Sequence, residues 1–151
     1  MCKWFLLFIC LCSEVFCSDY AHFLQTFLNE HPIQTVLDIN DASKEDIDWT
    51  GIEYIRCDSL YDLPEADLLL CKNVLSFLSN DAISNDFIPQ LSKFKYCLIT
   101  NEVYPGSLTS DNADGTSRTL DLSMRPFRLP MKKVFHYVVE GAIYQVALLE
   151  P

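Results

Sequence analysis

Three nearly unbroken apolar runs constrain this chain more than any other feature. They are Thr35-Val36-Leu37-Asp38-Ile39, Asp67 to Cys71 and Lys95 to Thr100. None alternates polar with apolar residues, as a strand wetted on one face would. Each is too short for a buried helix, so they predict strands covered on both faces. Such strands belong to a mostly parallel sheet with other elements packed on either side. Ile52 to Cys57, after the turn residues Thr50-Gly51, predicts a further strand. Helical spacing separates the runs. Ser18 or Asp19 can cap a helix in which Tyr20, Phe23, Leu24, Phe27 and Leu28 form one apolar stripe, and His31-Pro32 stops it. Ser79-Asn80-Asp81 opens a second helix carrying Ile83, Phe87 and Leu91, which Pro89 should kink or shorten. Residues 102–130 read as a long loop. Val134 to Val139 and Ile143 to Leu149, joined through Glu140-Gly141-Ala142, predict a closing hairpin. The expected fold class is therefore α/β, an open and mostly parallel sheet with an antiparallel C-terminal edge hairpin.

The chain's 151 residues suffice for one domain and not for two ordinary cores. Its formal charge of −10 argues against nucleic acid or an anionic membrane as a bulk partner. The charge is uneven: residues 38–67 hold ten acids against two basic residues, and residues 118–133 hold five basic residues against one acid. The basic stretch is either a solvated surface or a face toward an anionic substrate. Residues 1–17 read as a secretory signal peptide, with Lys3 as the positive start, Trp4 to Cys12 as the apolar stretch and cleavage before Ser18. That leaves 18–151 as the mature α/β domain, exported to a secreted or periplasmic location. Were residues 1–17 a buried helix instead, the protein would remain cytoplasmic. The apolar stretch is too short for a permanent span, which needs about 20 residues. Four of the seven cysteines fall in the leader, leaving Cys57, Cys71 and Cys97. No pair has CxxC spacing and the three histidines are not grouped with them, so no metal site is expected.

In an open sheet of this kind, ligands bind beyond the carboxyl ends of the strands. The residues there are Asp38 to Ser43, Asp58, Lys72-Asn73 and Asn101-Glu102, with Arg118 in the long loop behind them. As lone acids at strand ends, Asp38 and Asp58 equally suit turn capping. No GxSxG, P-loop or HExxH motif is present.

Thr35 to Ile39 resembles the first strand of class I S-adenosylmethionine-dependent methyltransferases, which usually reads V-L-D-x-G-x-G. Leu63-Pro64-Glu65-Ala66-Asp67-Leu68-Leu69-Leu70-Cys71-Lys72-Asn73-Val74-Leu75-Ser76-Phe77-Leu78 is similar to that family's fourth strand and turn, often L-P-x-A-D-L-L-x-x-x-D-V-L-x-H-L. Lys95 to Glu102 looks like its fifth strand. Arg118-Thr119-Leu120-Asp121-Leu122 with Pro126-Phe127 and Leu129-Pro130 resembles a segment that some bacterial members carry before their last two strands. The resemblance implies a shortened Rossmann-like methyltransferase fold over residues 20–150. It also implies S-adenosylmethionine as cofactor, with Asp38, Asn40, Asp58, Lys72 and Asn73 on the cofactor side and Asn101, Glu102 and Arg118 on the substrate side. Methyl transfer is achieved mainly by positioning, so no particular catalytic residue is implied.

The departures from the family pattern are specific. Asn40-Asp41-Ala42-Ser43 holds no glycine where the family's turn lets backbone approach the cofactor. Only 32 residues separate Leu37 from Leu69, which is short for the usual two strands and intervening helix. One strand–helix unit is expected to be missing, and with it the acidic residue that holds the ribose hydroxyls. Two readings follow. One is a small methyltransferase with a divergent cofactor loop; the other is an exported, non-catalytic relative retained as a binding or interaction module.

Overall fold

The structure, a computed structural model, describes residues 19–40, 46–103 and 117–151. The expected leader, Asp41 to Ser43 of the cofactor turn and residues 104–116 of the long loop lie outside the described residues. Helix α1 spans residues 19–30. Six strands follow: β1 (Thr35–Ile39), β2 (Glu53–Cys57), β3 (Ala66–Lys72), β4 (Phe94–Val103), β5 (Lys132–Val139) and β6 (Ala142–Leu149). They form one sheet in the order β2-β1-β3-β4-β6-β5. The first four are parallel, and β6 runs antiparallel to both β4 and β5. This is the expected α/β sheet with its antiparallel edge hairpin. The three central runs lie side by side, with Val36 and Leu69 fully buried and Leu98 1% exposed.

Alternation along each strand divides the core into two layers. One face carries Val36, Leu68, Leu70, Leu98, Val146 and Leu148, and is covered by Tyr20, Leu24, Phe27 and Leu28 of α1. The other carries Leu37, Ile39, Leu69, Cys71, Cys97 and Ile99, covered by the β3–β4 connection and by Leu120 and Leu122. Burying apolar side chains of this size contributes about 1.5–3 kcal/mol each.

The β3–β4 connection departs from the single helix expected. It begins with a 3₁₀ turn at Leu75–Phe77 and one α-helical turn at Asn80–Ala82, capped by the Ser79 hydroxyl. A π-helical turn at Ile83–Phe87 and a 3₁₀ segment at Ile88–Lys93 follow. Pro89 lacks the amide that regular α-helical bonding would use, which accounts for the break. Even so, Ile83, Phe87 and Leu91 all reach the core as the spacing required. The hairpin is tighter than expected. Val139 and Ala142 are paired, leaving Glu140 and Gly141 as a two-residue turn with φ of 50° and 82°. Positive φ at both central positions gives the turn the twist of its flanking strands.

Between β1 and β3 the described residues contain one strand, β2, and no helix. Where the family resemblance implies two strands, this sheet ends at β2. Ile47, Trp49 and Ile52 pack over the α1 face, while Leu60 and Leu63 pack over the opposite face. Irregular segments thus do the covering that crossover helices usually do.

Candidate functional site

The carboxyl ends of the parallel strands carry most of the residues singled out from the sequence. At the exit of β1, Asn40 takes φ 62° and donates its backbone N–H to the Cys57 carbonyl at 2.8 Å. At the exit of β3, Asn73 takes φ 58° and donates its backbone N–H to the Thr100 carbonyl at 2.9 Å. Asparagine tolerates this left-handed conformation better than most side-chain-bearing residues. Asn40 therefore makes a sharp turn at the end of β1 without glycine, and it carries a Cβ that glycine would lack.

Asp38 lies inside the sheet, fully buried, and its Oδ2 accepts a hydrogen bond from the Tyr54 hydroxyl at 2.7 Å. Tyr54 is in turn packed against Trp49, with ring centroids 4.7 Å apart. A buried carboxylate is costly unless such donors surround it. Its charge is felt nearby: burial first, then Asp38 and Cys97, push the Cys71 thiol far above its ordinary range. Two residues beyond the level of Asp38, Lys72 places its ammonium 4.1 Å from the Tyr20 ring centroid and 6.0 Å from that of Tyr137. The aromatic faces hold the cation at the N-terminal end of α1. Asp58 is different in kind. It sits just past β2 and pairs with Arg56 at 2.9 Å, but both side chains are more than half exposed. An exposed pair of this sort adds little stability.

Asn101 and Glu102 lie on β4 and Arg118 on the segment that crosses its end. Arg118 is turned toward the β3–β4 connection, donating to Asn80 Oδ1 at 2.6 Å and to the Leu78 carbonyl at 2.9 Å. Glu102 offers its backbone carbonyl to the Leu120 N–H at 2.9 Å. Asn101 is 5% exposed and faces a small cavity between β4, β6 and Leu120 to Leu122. The structure thus brings Asn40, Asp58, Lys72 and Asn73 to one rim with Asp38 beneath it, and places Asn101 around the corner on the second face. Sequence reading did not single out Tyr20, Tyr54, Tyr137 or Gln145 as site residues, because such residues on the apolar stripe of a helix or within strands read as packing. Cys57, Cys71 and Cys97 are free, and no group of metal-binding side chains occurs among the described residues. No helix among them is long and apolar enough to cross a membrane.

The fold is an open α/β domain with polar residues gathered at the carboxyl ends of its parallel strands. The N-terminal domain of EvdMO1, crystallised in the presence of SAH and D-fucose, superimposes with a TM-score of 0.53 over 88% of this chain and 82% of its own, at 10% identity. At that identity the likeness concerns the fold. No protein-family model matches the chain, and no curated protein matches it.

Proposed function

We propose that this protein is a methyltransferase-fold domain whose S-adenosylmethionine site has lost useful affinity, and that it works as an exported, non-catalytic binding module. The observation that carries this reading is that the described residues hold a single strand between β1 and β3. A cofactor lying across the rim would find one wall of the cleft gone and side chains at Asn40 and Ala42 where glycines admit it. Each added Cβ forces backbone away from the ligand, and the missing unit supplies no compensating contact.

Isothermal titration of the domain with S-adenosylmethionine tests this. The expected result is a Kd no tighter than about 1 mM, or about −4 kcal/mol. Restoring glycine at Asn40 and Ala42 is expected not to rescue binding, because the lost wall remains lost. Micromolar binding that Asp38→Ala or Asp58→Ala weakens would overturn the reading.

A second reading, an active enzyme with a divergent loop, draws on a specific observation. Asp58 directly follows β2 and lies about 20 residues after Asp38, the spacing at which dinucleotide-binding folds place the acid that holds ribose hydroxyls. In that case Asp58 would bind the ribose, Asn40 and Asn73 would line the turn, and Lys72 would face the cofactor's carboxylate end. Asn101, Glu102 and Arg118 would lie on the acceptor side. The same titration separates the two readings.

A further inference from the structure

Strand β5 ends the sheet on the side away from the cofactor rim's β2. Among the described residues its strand neighbour is β6, and no other backbone group bonds to it. In the two-residue hairpin, Val139 and Ala142 exchange both backbone hydrogen bonds. The alternation of an antiparallel ladder then turns the N–H and C=O of His136 and Val138 outward. Val138 is 42% exposed, one of four large apolar side chains left so among the described residues. An open groove floored by Phe23, Phe135 and Tyr137 runs between this edge and α1. Such an edge is a template for a further strand.

The two ends of β5 decide which strand fits. It starts with Lys132-Lys133 and stops at Glu140, all exposed. Lysines on an edge usually discourage pairing, because a second strand brings like charges together. An antiparallel copy of β5 does the reverse. With His136 opposite its own copy, Phe135 faces Tyr137 of the second copy on the α1 side of the sheet. The register shift between Lys133 and Phe135 marks Val134 as one extra residue. Counted so, Lys133 comes opposite Val138 of the second copy and Lys132 beside its Glu140. Inside the chain, Lys132 lies 3.5 Å from Glu150 and Lys133 3.7 Å from Asp121, with both lysine side chains more than half exposed. Contacts of that kind compete weakly.

We infer that β5 is the interface of an isologous homodimer, in which two six-stranded sheets join antiparallel into one. The chain's formal charge of −10 does not oppose this. The acid-rich stretch 38–67 carries β1 and β2, at the other end of the sheet. In the joined sheet the two β2 edges stand about 50 Å apart, at about 4.8 Å per strand, against a screening length of about 8 Å. The dimer goes beyond the methyltransferase-fold reading and does not depend on it.

Sedimentation equilibrium tests this on protein expressed from the full-length chain and purified as its host processes it. The expected result is a monomer–dimer equilibrium with a Kd in the micromolar range, as suits a small interface. Lys132→Glu and Glu140→Lys are each expected to weaken it about tenfold, since a dimer holds two such contacts and each variant turns both repulsive. The double variant should restore dimerisation, which a loss of fold cannot do. Val138→Pro removes an outward N–H at a position where an edge strand tolerates proline. It should abolish the dimer with the circular dichroism spectrum unchanged; if it does not fold, the charge variants decide. A monomer at every concentration up to about 1 mM, open-ended polymers, or a dimer indifferent to these variants would overturn the inference. None of these outcomes bears on the S-adenosylmethionine titration.

Discussion

Asp67 closes the amino-terminal ends of β1 and β3 with one side chain. Its Oδ2 accepts the backbone N–H groups of Gln34 and Thr35 at 2.9 and 3.2 Å, and its own amide donates to the Thr35 hydroxyl at 2.8 Å. The Lys95 ammonium beside it, then these amides, hold its carboxyl below the usual carboxylate range. A depressed folded pKa means stability that is fully present above the unfolded value of about 3.9 and is lost as pH falls through the folded one. Asp67→Asn is therefore expected to cost about 1.5–3 kcal/mol at neutral pH, the range for hydrogen bonds to a charged group. The gap from wild type should shrink in urea titrations run at successively lower pH below about 4. A constant gap would show that charge contributes nothing there. The cysteines offer a second reading at this scale. Burial pushes the Cys97 thiol up to about 12 and that of Cys71 higher still, so neither supplies thiolate near neutrality. Peptide-resolved labelling with a thiol reagent should modify Cys57 in the native domain and reach Cys71 and Cys97 only on unfolding. Rapid native labelling of Cys97 would contradict the buried β4.

At the scale of elements, strands were the most legible part of the sequence and helices the least. Continuous runs such as Asp67 to Cys71 suit a covered sheet, so β1, β3 and β4 as buried parallel strands followed from pattern, while their order did not. The connection from Leu75 to Lys93 kept its inward residues but not its helix type, because Pro89 and tertiary packing decide local bonding that periodicity does not see. The rim was legible through position: residues after strands are where a parallel sheet exposes polar groups. Partners were not legible. Nothing in the sequence brings Tyr54 to Asp38 or Arg118 to Leu78, since contacts 16 and 40 residues apart depend on how the layers stack. The Arg118 contact ties the segment bearing Leu120 and Leu122 to the β3–β4 connection, and with it one wall of the Asn101 cavity. Arg118→Ala should leave the Leu78 carbonyl and Asn80 short of a donor and cost about 1–3 kcal/mol. Hydrogen exchange at the Leu120 and Leu129 amides, bonded to the Glu102 and Leu122 carbonyls, is expected to quicken more than exchange in β1. Uniform acceleration across the sheet would show that Arg118 holds the whole fold and not this segment.

For the whole molecule, the question is what the first 17 residues do. The apolar stripe of α1 starts at Tyr20, and Tyr20, Leu24, Phe27 and Leu28 already cover the sheet face that α1 packs on, each less than 9% exposed. We propose that residues 1–17, with Lys3 ahead of the apolar stretch Trp4 to Cys12, are a leader removed at export. A protein beginning at Ser18 is accordingly expected to fold with the same urea midpoint as the full chain, to within about 0.5 kcal/mol. In a host with a secretory pathway, intact mass measurement of medium or periplasmic protein should give an amino terminus near Ser18. On that proposal export would also bear on function, because S-adenosylmethionine is made and held in the cytosol, and a domain working outside it would gain nothing from an intact cofactor turn. If the chain instead stays in the cytosol at full length, and Phe5→Asp or Ile9→Asp destabilises it as a core substitution would, the leader is part of the fold. The loss of the glycine turn would then need a cause other than export.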